Sequence, residues 1–191
     1  MGLDMYLERC DRKVWGYKNF DLDVIKGEKP DLYNELKPYI IQRGKNFHWE
    51  SLFEEVGYWR KANHIHSWFV DNVQDGVDDC DYHNEVTETT LHRLLNACMF
   101  VLESCKLVEG KINDGYEYVD GERVPILVDG KYVENTSVAE ELLPTTSGFF
   151  FGGTNYDEWY VRDIKKTIQI IRNVLDTTDF ETHMVYYVSS W

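Results

Sequence analysis

A chain of 191 residues with 43% hydrophobic content is long enough to bury a core without help from a disulfide or a metal. Its 34 acidic and 20 basic residues give a net charge of −14, a field that repels nucleic-acid backbones, and no basic stripe with interleaved aromatics opposes it. Direct nucleic-acid binding is therefore excluded, and so is a membrane-spanning role, because no apolar run approaches the roughly 20 residues a bilayer requires.

The opening Met1-Gly2-Leu3-Asp4-Met5-Tyr6 has neither the basic region nor the apolar run of a signal peptide, and Tyr6 stands where a myristoylation pattern wants Ser or Thr. Cys10, Cys80, Cys98 and Cys105 form no CxxC and no framework spacing. Cys98 and Cys105 lie seven apart in a helical pattern, which suits small core residues. Together these features point to a reduced, cytoplasmic setting.

In chain order, Leu3 to Glu8 alternates apolar and polar residues as a strand does. Asp31 to Ile41 has the makings of a short helix that Pro38 would interrupt. From Leu52 to Val73 the spacing of Tyr58, Ala62, Ile65, Phe69 and Val73 predicts a helix. The acidic run Asp75 to Asp81 ends it as a loop. A second helix is expected over Glu88 to Leu107, capped by Thr87, with Leu91, Leu94, Leu95, Cys98, Val101 and Leu102 inward.

Turn signals at Asn113-Asp114-Gly115, Asp120-Gly121 and Asp129-Gly130 then separate short strand-like runs. The segment 113–135 thus reads as a β-meander inserted in a helix-and-sheet body. A third helix over Tyr156 to Leu175 follows from Tyr160, Ile164, Ile168, Ile171 and Leu175, with Asn155 and Glu158 resembling a capping box. His183 to Val188 is β-branched and aromatic, a closing strand. The expected fold over 1–191 is one α+β domain. Three principal helices pack on a small, mostly antiparallel sheet that includes both terminal strands.

The motifs for chemistry are few. His64 and His66 are two apart, so on a helix their imidazoles diverge by about 200° and cannot share one metal. The wheel puts His64 on the exposed side and His66 beside Glu55, Trp59 and Asn63 on a polar shoulder of the core stripe. That shoulder is either an internal hydrogen-bond network or one wall of a pocket. As a pocket wall, Trp59 would stack on a ligand while Asn63 and His66 orient it. The loop Asp78, Asp79, Asp81, His83 is rich in cation ligands, but its spacing fails the EF-hand pattern and a solvated loop is expected.

Thr145 to Asn155, with glycines around a Phe triplet leading into a helix N-terminus, is the most unusual segment. It lacks the residues of a P-loop or a GxGxxG turn. As a ligand-facing loop it would offer Thr146, Ser147, Thr154 and Asn155. No nucleophile motif and no cofactor signature is present.

Four segments, MGLDMYL at the start, EVGYWRKAN with Ile65-His66 and Trp68-Phe69-Val70, LPTTSGFFFG, and the closing Ser189-Ser190-Trp191, resemble a family of small uncharacterised bacterial and bacteriophage proteins. The resemblance implies a cytoplasmic bacterial or phage origin and makes the shoulder and the Phe-rich loop shared features, with the 113–135 segment an addition. It supplies no activity.

The leading expectation is a non-catalytic accessory protein that binds a small molecule or a protein between shoulder and loop, without metal or cofactor. One alternative is a hydrolase or transferase on a small polar substrate, with His66 as acid–base and Glu55 orienting it. Another is an acidic inhibitor of a nucleic-acid-binding partner.

Overall fold

A computed structural model describes residues 2–15, 22–43, 53–78, 80, 85–148 and 150–191. The fold is α+β. The elements run β1 (Asp4–Asp11), α1 (Arg12–Trp15), α2 (Leu22–Glu28), α3 (Pro30–Arg43), β2 (Glu54–Arg60), α4 (Asn63–Val73), α5 (Glu88–Ser104), β3 (Leu107–Val119), β4 (Glu122–Val133), α6 (Ser137–Leu142), α7 (Glu158–Thr177) and β5 (His183–Ser190). Among the described residues no helix is long and apolar enough to cross a membrane.

The two terminal strands are neighbours. β1 lies between β2 and β5 in an antiparallel sheet, with Asp4 opposite Ser190 at one end and Asp11 opposite His183 at the other. Period-two alternation sends Leu3, Met5 and Leu7 to the main core, where each is fully buried. There they meet Ile65 and Phe69 of α4, Leu91, Leu94, Cys98 and Val101 of α5, and Ile164, Ile168 and Ile171 of α7. The Phe69 ring stacks on Tyr187 of β5 with centroids 4.2 Å apart and planes 10° from parallel. The opposite face of the sheet carries a smaller cluster of Cys10, Met184, Tyr186 and Val188, which explains why β5 is buried on both sides.

The segment 54–73 corrects the expected helix of Leu52 to Val73. Its first part is strand β2, paired with β1 through Asp4 opposite Arg60 and Met5 opposite Trp59. Only Asn63–Val73 is helical. The apolar residues Val56, Tyr58 and Trp59 suit either period over so short a run, and tertiary packing decides. Gly57 passes so close beneath α7 that a Cβ there would stand 2.6 Å from Ile170 Cγ2. Lys61, at φ 60°, turns the chain from strand to helix. Residues 55, 59, 63 and 66 therefore share no helical face.

Three smaller corrections follow. The expected meander is one long hairpin, β3 and β4, with the turn at Asp120-Gly121. Asn113-Asp114-Gly115 is a register shift within β3, and Asp129-Gly130 runs through β4. Helix α7 is capped by Asp157, whose Oδ1 accepts from the Trp159 and Tyr160 amides at 2.9 and 3.2 Å, not by Asn155. Pro38 sits inside α3 without ending it. Thr87 caps α5 as expected, accepting from the Thr90 amide at 3.1 Å.

The hairpin is tied to the body at its base. The Val133 amide donates to the Tyr156 carbonyl at 2.9 Å, and the Lys131 amide donates to Glu158 Oε1 at 3.2 Å. These bonds fix the arm beside the N-terminal turn of α7.

Candidate functional site

Of the eight residues singled out by sequence, Asn63, Ser147, Thr154 and Asn155 line one cleft. Asn63 is the organiser. Its side chain is buried, its Nδ2 donates to the Phe151 and Gly153 carbonyls at 3.1 and 2.8 Å, and its Oδ1 accepts from the Thr146 amide at 2.9 Å. One amide thereby fixes the glycine-flanked loop against the start of α4. Thr145 closes the loop on itself, its hydroxyl donating to the Thr154 carbonyl at 3.0 Å. Thr146 takes part through its backbone.

The other shoulder residues lie elsewhere. Trp59 is buried and donates Nε1–H to the Thr167 hydroxyl at 2.8 Å, so it is a core strut rather than a stacking wall. Glu55 is exposed on β2 opposite Glu8. His66 is buried, and its Nδ1 shares a 2.7 Å hydrogen bond with the Tyr187 hydroxyl. Its Nε2 stands 3.1 Å from Asp78 Oδ2 without the alignment of a hydrogen bond. Glu55 is thus not the orienting partner of His66.

His64 corrects the expectation in the other direction. It is buried rather than exposed, packed against Tyr160 of α7. Its ring packs on Tyr160 with centroids 4.4 Å apart, and burial holds its pKa down to about 3, so it is neutral. His64 forms part of the cleft wall, and its Nε2 has no hydrogen-bond partner among the described residues. A buried polar atom in that state calls for a partner.

The cleft has a volume of about 920 Å³, within the usual range of small-ligand sites, roughly 300–1,000 Å³. Four segments build it: the β2–α4 corner, the bulged part of the hairpin, the glycine-flanked loop, and the first turns of α7. Glycine is required at position 152, where φ is 94° and a Cβ would meet Lys61 Cβ and the Lys61 carbonyl at 3.1 Å.

Within a chain of net charge −14, this cleft gathers cations. Arg60 and Lys61 come from the corner, Arg123 from the hairpin and Arg162 from α7. Arg123 lies over the Tyr116 ring at 3.7 Å and Arg162 over the Trp159 ring at 4.4 Å. The ion pairs of Arg60 with Asp4 (3.9 Å) and of Arg162 with Asp163 (3.7 Å) are long, and both arginines are well exposed.

Three carboxylates also line the cleft: Asp114 on the hairpin bulge is exposed, and the other two are less available. Asp157 is occupied as the helix cap, and burial raises its pKa. Asp163, with a side chain only 17% exposed, is pushed up to about 6 by burial, against the pull of Arg162 and Lys166.

Sequence reasoning missed the cationic set, the aromatic pair Tyr116 and Trp159, His64 and Asp163. Arg60 and Lys61 stand in the EVGYWRKAN segment, but nothing in the sequence ties them to Arg123 and Arg162.

Of the expected acidic cation loop, Asp79, Asp81 and His83 lie outside the described residues, as does Phe149 of the Phe triplet. Among the described residues no group of three or more His, Cys, Asp or Glu converges as a metal-binding set. No family model, characterised protein or solved structure matches the chain.

Proposed function

We propose that the cleft binds a small anionic molecule, and that the protein is a non-catalytic, cytoplasmic accessory protein of the bacterial and phage kind its four characteristic segments resemble. The observation that carries this reading is the convergence of Arg60, Lys61, Arg123 and Arg162, from three separate elements, on one cleft of a strongly acidic chain. Cations brought together against the overall field favour an anion held from several sides. The glycines and exposed polar side chains of the loop suit close approach of a ligand to backbone. Thermal denaturation with inorganic pyrophosphate tests it. Wild type gains stability with rising pyrophosphate while the Arg60→Ala, Arg162→Ala double variant does not. An equal response from both proteins would contradict the reading.

A second reading, an enzyme acting on a small polar substrate, is favoured by one observation, but through a different residue from His66. Asp163 sits in the cleft with a pKa near 6, beside Arg162, which suits a proton donor or acceptor near neutral pH. Turnover whose pH profile changes in Asp163→Asn, with substrate binding retained, would support this alternative.

A further inference from the structure

Two aromatic rings stand in the same cleft as the cations. Tyr116 of the hairpin and Trp159 of α7 are each 49% exposed, although a guanidinium already covers one face of each. Much open ring surface is therefore presented to the cleft. Large aromatics can remain in contact with solvent at little cost, but here two of them, from separate elements, flank one polar cavity. The guanidiniums of Arg123 and Arg162 bring positive charge beside each stacking surface.

Inorganic anions and aliphatic carboxylates would use the cations alone and leave the aromatic surface idle. A purely aromatic ligand would make no use of the charge of Arg60, Lys61, Arg123 and Arg162. We infer that the ligand is a phosphate ester carrying a planar heteroaromatic ring, a mononucleotide by chemical class, with its phosphate held among Arg60, Lys61 and Arg162 and its ring stacked on Trp159 or Tyr116. This deepens, and rests on, the anion-binding reading of the cleft. A single nucleotide is favoured over a polymer because phosphates continuing beyond the cleft would enter the field of a chain carrying −14.

Calorimetric titration of the full chain with five probe classes tests the inference: inorganic phosphate, ribose 5-phosphate, adenosine, glycerol 3-phosphate, and the four common nucleoside 5′-monophosphates. At least one monophosphate should bind roughly 5- to 100-fold more tightly than ribose 5-phosphate, the margin that base stacking on an aromatic ring supplies. It should also bind more tightly than adenosine. Trp159→Ala or Tyr116→Ala should bring its affinity down toward that of ribose 5-phosphate, and because both side chains are half exposed the variants keep the fold, as their circular dichroism would show.

Equal affinity for ribose 5-phosphate and every nucleotide would overturn the aromatic inference while leaving anion binding intact. Absence of heat with all the phosphates would overturn both. Tightest binding by adenosine would also overturn the inference, since the cations would then be irrelevant.

Discussion

The side-chain oxygen of Asn63 accepts a hydrogen bond from the backbone amide of Thr146 at 2.9 Å, joining the first residue of α4 to a loop 83 positions away. Its amide nitrogen adds bonds to the Phe151 and Gly153 carbonyls, so a single buried side chain sets the loop's path along the cleft. Asn63→Ala leaves one amide and two carbonyls without their partner. The expected loss is about 2–4 kcal/mol of unfolding free energy, read by urea denaturation. Asn63→Asp should be no milder, because an anionic oxygen would replace the donor facing two carbonyls. A loss below about 1 kcal/mol for both would mean that the loop is held by other contacts.

Asp163 gives a pH signature. Its folded pKa of about 6 lies above the ordinary 3.8, so its ionisation works against the folded state. The stability associated with the neutral carboxyl is fully present below about pH 3.8 and is lost as pH rises through about 6. Asp163→Asn should therefore be stabilising by about 2–3 kcal/mol at pH 8 and nearly neutral at pH 4. Denaturant midpoints of the two proteins across that range make the comparison. A variant destabilised at pH 8 would show that the pairing of Asp163 with Arg162 outweighs its burial.

His64 works in the opposite sense. Its folded pKa of about 3 lies below the ordinary 6.5, so the stability it contributes as a neutral ring is present above pH 6.5 and is lost as pH falls toward 3. His64→Gln, uncharged at every pH, should flatten the decline in stability between pH 6.5 and 4 relative to wild type. An unchanged slope would place the imidazole in contact with solvent.

Gly57 tests the strand that replaces the expected helix. Ile170 of α7 lies where a Cβ would be, at 2.6 Å, so Gly57→Ala should cost about 1–3 kcal/mol through overpacking, seen as a lower thermal midpoint. On a helix the same change would stabilise, since Ala is the better helix former by about 1 kcal/mol.

The elements readable in the sequence were those with long, one-sided periodicity or strong capping. α5 begins at Glu88 behind Thr87, and α7 carries Tyr160, Ile164, Ile168 and Ile171 on its buried face, as the spacing required. The terminal strands were legible from alternation and from the aromatic run at Tyr186-Tyr187, and their pairing is observed. What was not legible depended on contacts between distant segments. Residues 54–60 fit two periods equally, and the choice was made by β1 beside them and Ile170 above.

The same holds for the site. Ser147, Thr154 and Asn155 were found because the loop's composition is unusual, whereas Asn63 was reached through a helical shoulder that the strand at 54–60 removes. Arg60, Arg123 and Arg162 are ordinary surface arginines until the fold brings the corner, the hairpin and α7 to one cleft. His66 had the right residue type but the wrong surroundings, being enclosed between Tyr187 and Asp78.

The most direct test of the anion-binding cleft is a two-dimensional amide NMR titration of the full chain with inorganic pyrophosphate. The account predicts saturable shifts confined to the corner, the hairpin bulge, the loop and the start of α7, including Lys61, Arg123, Gly153, Asn155 and Arg162. Shifts that fail to saturate at millimolar pyrophosphate, or that map to surfaces away from these residues, would contradict it.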